Sequence, residues 1–145
     1  MRTVLLCLTV IASLSYSLRN PQMSCAAIPD QKSEDLQALA THVCKGRITK
    51  IYSTVDRSTP SWEYTYKLAE IQVERMEKGR HDGRLIYVRF WHRRPLDNAA
   101  ATPGFNGHRD TPRHGASVLV YMREAKDGGY DVIPPNGFLS REKAR

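Results

Sequence analysis

The residues best suited to chemistry crowd into one short stretch. Asn106 to Gly115, NGHRDTPRHG, carries His108, His114 and Asp110, with Arg109 and Arg113 among them. His92 ends the apolar run before this stretch. A loop folding back on it would gather three imidazoles and a carboxylate, a ligand set suited to zinc. Five residues between His108 and His114 match the second half of some zinc fingers. No C-x-x-C accompanies them, no helical pattern displays the pair on one face, and Pro103 and Pro112 hold the segment extended. A metal-dependent site at His92, His108 and His114 is therefore the alternative reading, and no cofactor is expected.

Nucleophiles have less support. Cys44 lies two residues from His42 without a third orienting group, and Ser117 is not framed by a G-x-S-x-G elbow. Glu63, Glu70, Glu74 and Glu77 read as exposed carboxylates along one strand, and no phosphate-binding G-x-x-x-x-G-K occurs. Catalysis is not the expected activity.

Arginine interleaved with aromatic residues is the stronger pattern. Arg84, Tyr87, Arg89, Trp91, Arg93 and Arg94 follow one another along a single apolar run, and Arg109 and Arg113 add to them from the loop. Aromatic rings offer rigid contact area, and guanidinium offers a fork for carboxylate, sulfate or phosphate. A non-catalytic site for an anionic protein or polysaccharide is expected on these residues and the 95–115 loop. A structural envelope module without a ligand is the blander alternative.

Compartment narrows the partner. Residues 1–17, MRTVLLCLTVIASLSYS, have a basic start, an apolar run from Val4 to Leu14, and small residues at Ser15 and Ser17, as a secretory signal does. The run is too short to span a bilayer, which needs about 20 residues, and no other stretch is a candidate span. A secreted or periplasmic location is expected. The formal net charge of +7 favours acidic partners, and export makes nucleic acid the least expected of them. Cys7 would leave with the leader. Cys25 and Cys44 then form an even pair, and an oxidising compartment favours a disulfide worth about 3 kcal/mol.

The elements that must position these residues follow from periodicity. Residues 18–32 read as an extended arm with two prolines. Ser33 is placed to cap a short helix reaching about His42, with Leu36, Leu39, Ala40 and Val43 as its apolar stripe. From Cys44 the period falls to two. Strands are expected in CKGRITKIYSTV, where Gly46 relaxes a bulge, then in SWEYTYKLAEIQVERM, RLIYVRFWHRR, SVLVYMRE and YDVIPPNGF. Asp82-Gly83 and AKDGG make tight turns, and residues 140–145 form a polar tail that frays. Five strands of this size bury both faces most simply as a partly closed OB-like barrel over residues 33–139, with a small β-sandwich as the alternative.

The phrases VCKGRITKIYS, EIQVERMEKGRHDGRLIYVRFW and HGASVLVYMREAKDGGYDVIPPNGF, spanning roughly residues 43–138, resemble the netrin-like and metalloproteinase-inhibitor-like group of secreted OB barrels, including small bacterial relatives. The resemblance implies a barrel and export. It does not imply inhibitor activity. That activity needs an exposed N-terminal cysteine and several disulfides, whereas Cys25 lies inside the mature chain and only one intrachain disulfide is possible.

Overall fold

The computed structural model describes residues 29–96 and 106–140. The signal-like residues 1–17, the arm up to residue 28 with Cys25, the segment 97–105 and the tail 141–145 lie outside the described residues. A short helix, α1 (Ser33–Leu39), precedes six strands: β1 (His42–Asp56), β2 (Trp62–Lys78), β3 (Leu85–Pro95), β4 (Ser117–Glu124), β5 (Tyr130–Val132) and β6 (Phe138–Ser140).

The sheet closes on itself. Its order is β1-β2-β3-β5-β4, and β4 returns to pair with β1. All pairs are antiparallel except β3–β5, where Val88 and Arg89 lie against Tyr130 and Asp131. This is the OB-like barrel with one short helix that the strand pattern implied, and not a sandwich. The last expected strand is split. Pro134 and Pro135 offer no N–H for a ladder, so YDV stops before them as β5 and FLS resumes as β6 on β4.

Closure depends on a bent β1. Its N-terminal half pairs with both β4 and β2, while its C-terminal half pairs with β2 alone. Register shifts against β2 fall between Val43 and Cys44, Lys45 and Gly46, and Ile48 and Lys50. Glycine is required at the middle one: a Cβ on Gly46 would lie 2.4 Å from the Gln72 carbonyl oxygen. The bulge expected at Gly46 is therefore enforced by contact with β2.

Two apolar clusters hold the fold. Ile48, Ile71, Ile86, Val88, Val120 and Met122 centre the barrel interior, with Phe90 and Phe138 edge to face at 5.0 Å. Leu36 and Ala40 of the helical region cover Val43, Tyr121 and Ile133 outside the barrel. The helix is shorter than its stripe implied. It ends at Leu39, which is 42% exposed, because Thr41 already bonds to Met122 and His42 opens β1. Ser33 is its first residue and not its cap.

The expected Cys25–Cys44 disulfide is not seen among the described residues. Cys44 is a free thiol, wholly buried among Ile48, Val120 and Met122 of the core cluster. Burial first, and the nearby Glu74 carboxylate second, push its pKa up to about 11. An inward-facing position in an apolar barrel suits an inert thiol, which behaves as a small hydrophobe. Cys25 lies outside the described residues.

Candidate functional site: an aromatic groove on the outer sheet

Beyond the closed core, β1, β2 and β3 continue as a three-stranded sheet whose register aligns four rows on the outer face. Lys50, Glu70 and Tyr87 form the first row; Tyr52, Leu68 and Arg89 the second; Thr54, Tyr66 and Trp91 the third; Asp56, Tyr64 and Arg93 the fourth. Six residues along a strand separate the first row from the last, a reach of about 20 Å. Trp62 extends the β2 side, so Trp62, Tyr64 and Tyr66 make an alternating aromatic ladder on one strand.

The rings touch one another. Tyr64 stacks on Tyr66 at 6.1 Å between centroids and meets Trp91 at 6.2 Å. Tyr66 and Tyr52 are 48% and 42% exposed, values at which two large rings stand open to a ligand. A cavity of about 670 Å³ runs over this sheet, floored by Tyr52, Tyr66, Leu68 and Trp91 and walled by His108, Asp131 and Pro134.

His108 builds the wall. The short β3–β5 ladder ends at Arg89, and the segment 106–108 takes over the freed edge of β3. The His108 amide donates to the Trp91 carbonyl at 2.8 Å, the Arg93 amide donates to the Asn106 carbonyl at 3.0 Å, and Gly107 bridges His92. Gly107 sits at φ +90°, and a Cβ there would lie 2.4 Å from the Trp91 carbonyl oxygen. The imidazole spans the gap to β5. Its Nε2 donates to the Val132 carbonyl at 2.9 Å, while Nδ1 lies 3.2 Å from the Trp91 amide and 3.0 Å from the Trp91 carbonyl. Both ring nitrogens are engaged within the fold.

The three-histidine set is not assembled. His108 is 7% exposed and held as described. His92 lies half-buried at the end of β3, where burial first and Lys67 second lower its pKa and favour the neutral ring. His114 is exposed beside a separate cavity of about 450 Å³ that Asp110, Arg113 and Phe138 also line. Among the described residues no group of three His, Cys, Asp or Glu side chains is placed to hold a metal.

The arginines divide in a way their spacing hid. Arg89 is clamped to the β4–β5 hairpin: its Nη1 is 2.6 Å from Asp127 in the turn and its Nε 2.7 Å from Asp131 on β5. That clamp raises the Arg89 pKa and holds the Asp127 carboxyl down to about 2. Arg94 points to the other face of the sheet and shares Glu63 with Arg57, each at 2.6 Å. Glu63, expected at the surface, is 5% exposed, and Arg94 first and Arg57 second hold its carboxyl down to about 2. Arg109 pairs with Asp30 of the arm at 2.8 Å. Arg84 is exposed in the turn before β3, and Arg113 is exposed beside the cavity of His114. Tyr87 is exposed and donates to Glu70 at 2.9 Å, which raises its own pKa.

Of the expected binding residues, β3 thus collects Tyr87, Arg89, Trp91 and Arg93 on one face. Arg84 flanks them, while Arg94, Arg109 and Arg113 lie elsewhere. Sequence reasoning missed Tyr52, Trp62, Tyr64 and Tyr66 as site residues. Their signal was the W-x-Y-x-Y alternation on β2, which marks one face of a strand. Among the described residues no helix is long and apolar enough to cross a membrane. No family model matches the chain, and no curated protein and no solved structure matches it either.

Proposed function

We propose that this chain is an exported, non-catalytic binding domain that holds an anionic polysaccharide strand across the outer face of β1, β2 and β3. The carrying observation is the register that sets Tyr52, Tyr64, Tyr66 and Trp91 in adjoining rows beside Arg89 and Arg93. Flat rings pack against the apolar faces of sugars, while charged planar side chains bond their hydroxyl and acidic groups. Small OB barrels take oligosaccharides and oligonucleotides on this face and its flanking loops. A large open apolar surface rimmed by charge also favours a ligand over a purely structural module.

The same rings suit a single nucleic-acid strand, for which stacking is equally tolerant of sequence. The signal-like leader favours the polysaccharide. An anionic protein is the other candidate, and the continuous stacking surface favours a linear polymer over it.

Trp62 and Trp91 give the test its readout. Titration of the purified protein with a polyuronate should change tryptophan emission saturably and weaken as salt rises. A single-stranded oligothymidylate of the same length should have little effect. Saturation by the oligonucleotide alone, or silence with both, would overturn the reading.

A further inference from the structure

We infer that Arg93 is the subsite for the acidic group of the bound polysaccharide, a uronate carboxylate or a sulfate ester on the sugar stacked over Tyr64 and Trp91. The inference rests on the polysaccharide reading and adds to it which cation reads the acid.

The other guanidiniums near the groove are already answered. Arg89 is held by two aspartates and Arg94 by Glu63. Lys50 lies over the Tyr52 ring at 4.7 Å, but its row neighbour is Glu70, whose carboxyl it helps to hold ionised. Arg93 differs. Its Cζ sits 4.2 Å from the centre of the Trp62 ring, and no carboxylate pairs with it among the described residues. Its Nε is shielded from water and has no hydrogen-bond partner there. The indole holds the guanidinium by a cation–π contact that itself supplies no counter-charge. A guanidinium so placed offers its terminal Nη groups, not the shielded Nε, to a planar carboxylate or a sulfate.

Arg93 ends the fourth row directly beside Tyr64, and Trp91 lies two residues earlier on the same face, about 7 Å along the strand. A sugar packed on those two rings places its acidic substituent within reach of Arg93. Its ring needs nothing from Arg93, so affinity for the acid and affinity for the sugar separate.

The test uses a polyuronate oligosaccharide, its carboxyl-reduced neutral counterpart, and the reduced form after sulfation, each titrated against the whole protein by tryptophan emission and calorimetry. The unaltered protein should bind one of the two charged forms about tenfold or more tighter than the neutral one, and which of them wins identifies carboxylate or sulfate. Arg93→Gln should abolish that preference while leaving the neutral form's affinity unchanged. Arg93→Lys should restore only part of it, because a point charge replaces a fork. Equal binding of all three glycans, or a loss with Arg93→Gln that is the same for all three, would overturn the inference while the polysaccharide reading stands. Binding of none would overturn both. Thermal melts of each variant identify a folding defect, in which case the comparison of Arg93→Lys with the unaltered protein decides.

Discussion

The two halves of the β2–β3 ladder obey opposite rules. In the near half, Ala69 and Ile71 face Val88 and Ile86 inside the barrel, while Glu70 and Tyr87 stand outside. In the far half Phe90 still packs in the core, but the other inner positions are Glu63, Thr65, Lys67, His92 and Arg94, and the outer ones are Tyr64, Tyr66, Trp91 and Arg93. Polar groups have moved inward and rings outward. Stability alone favours the first arrangement, because apolar area belongs away from water. The inversion marks the place where the sheet stops serving the core and starts presenting a surface.

Substitutions can break that contrast. Ile71→Ala, in the near half, should cost about 3–4 kcal/mol in a urea melt, as removal of a fully buried side chain from a packed core does. His108→Ala, at the junction, should cost about 2–3 kcal/mol, because it strands the Val132 carbonyl and the Trp91 amide. Tyr66→Ala, in the far half, should cost under about 1 kcal/mol of stability yet weaken glycan binding roughly tenfold. A large stability loss at Tyr66 would show that its ring belongs to the core after all.

Acid should sharpen the contrast from the other side. Glu63 ionises at about 2 in the fold against an ordinary value of 4.5. A lowered folded pKa gives stability that is fully present above pH 4.5 and is lost as the pH falls towards 2. Melting temperatures should therefore drop through that window, and Glu63→Gln should flatten part of the decline. Asp127, also held at about 2, contributes in the same direction. The smallest effect is expected at Cys44. Iodoacetamide should leave it unmodified in native buffer and alkylate it fully in denaturant, as mass spectrometry would record. Rapid native alkylation would contradict its burial.

Strand identity was legible because alternation survives even where its sense reverses. Ile86, Val88 and Phe90 share one face in sequence and in structure, and Gly46 announced a bend. The pairing of charges was not legible. Arg89 and its partners Asp127 and Asp131 are brought together by the parallel β3–β5 pair, which no local pattern encodes. Arg94 belongs to the opposite face from Arg93 by simple alternation, yet a run of basic residues reads as one patch until the buried Glu63 is seen beneath it. The histidines misled for a related reason. His108 looked like a ligand because its two acceptable partners, a carbonyl on β5 and an amide on β3, are backbone groups that every sequence contains.

The return of β4 to β1 also has a bearing on time. Met122 pairs with His42, and Asp131 with Arg89, so the sheet has no closed form until β4 and β5 arrive. A chain emerging from its N-terminus can form the β1–β2–β3 meander early, but one edge of β1 and one of β3 stay open until the last strands dock. Such long-range pairing folds slowly. Closure of the barrel therefore waits on β4 and β5, whatever β1, β2 and β3 have already formed.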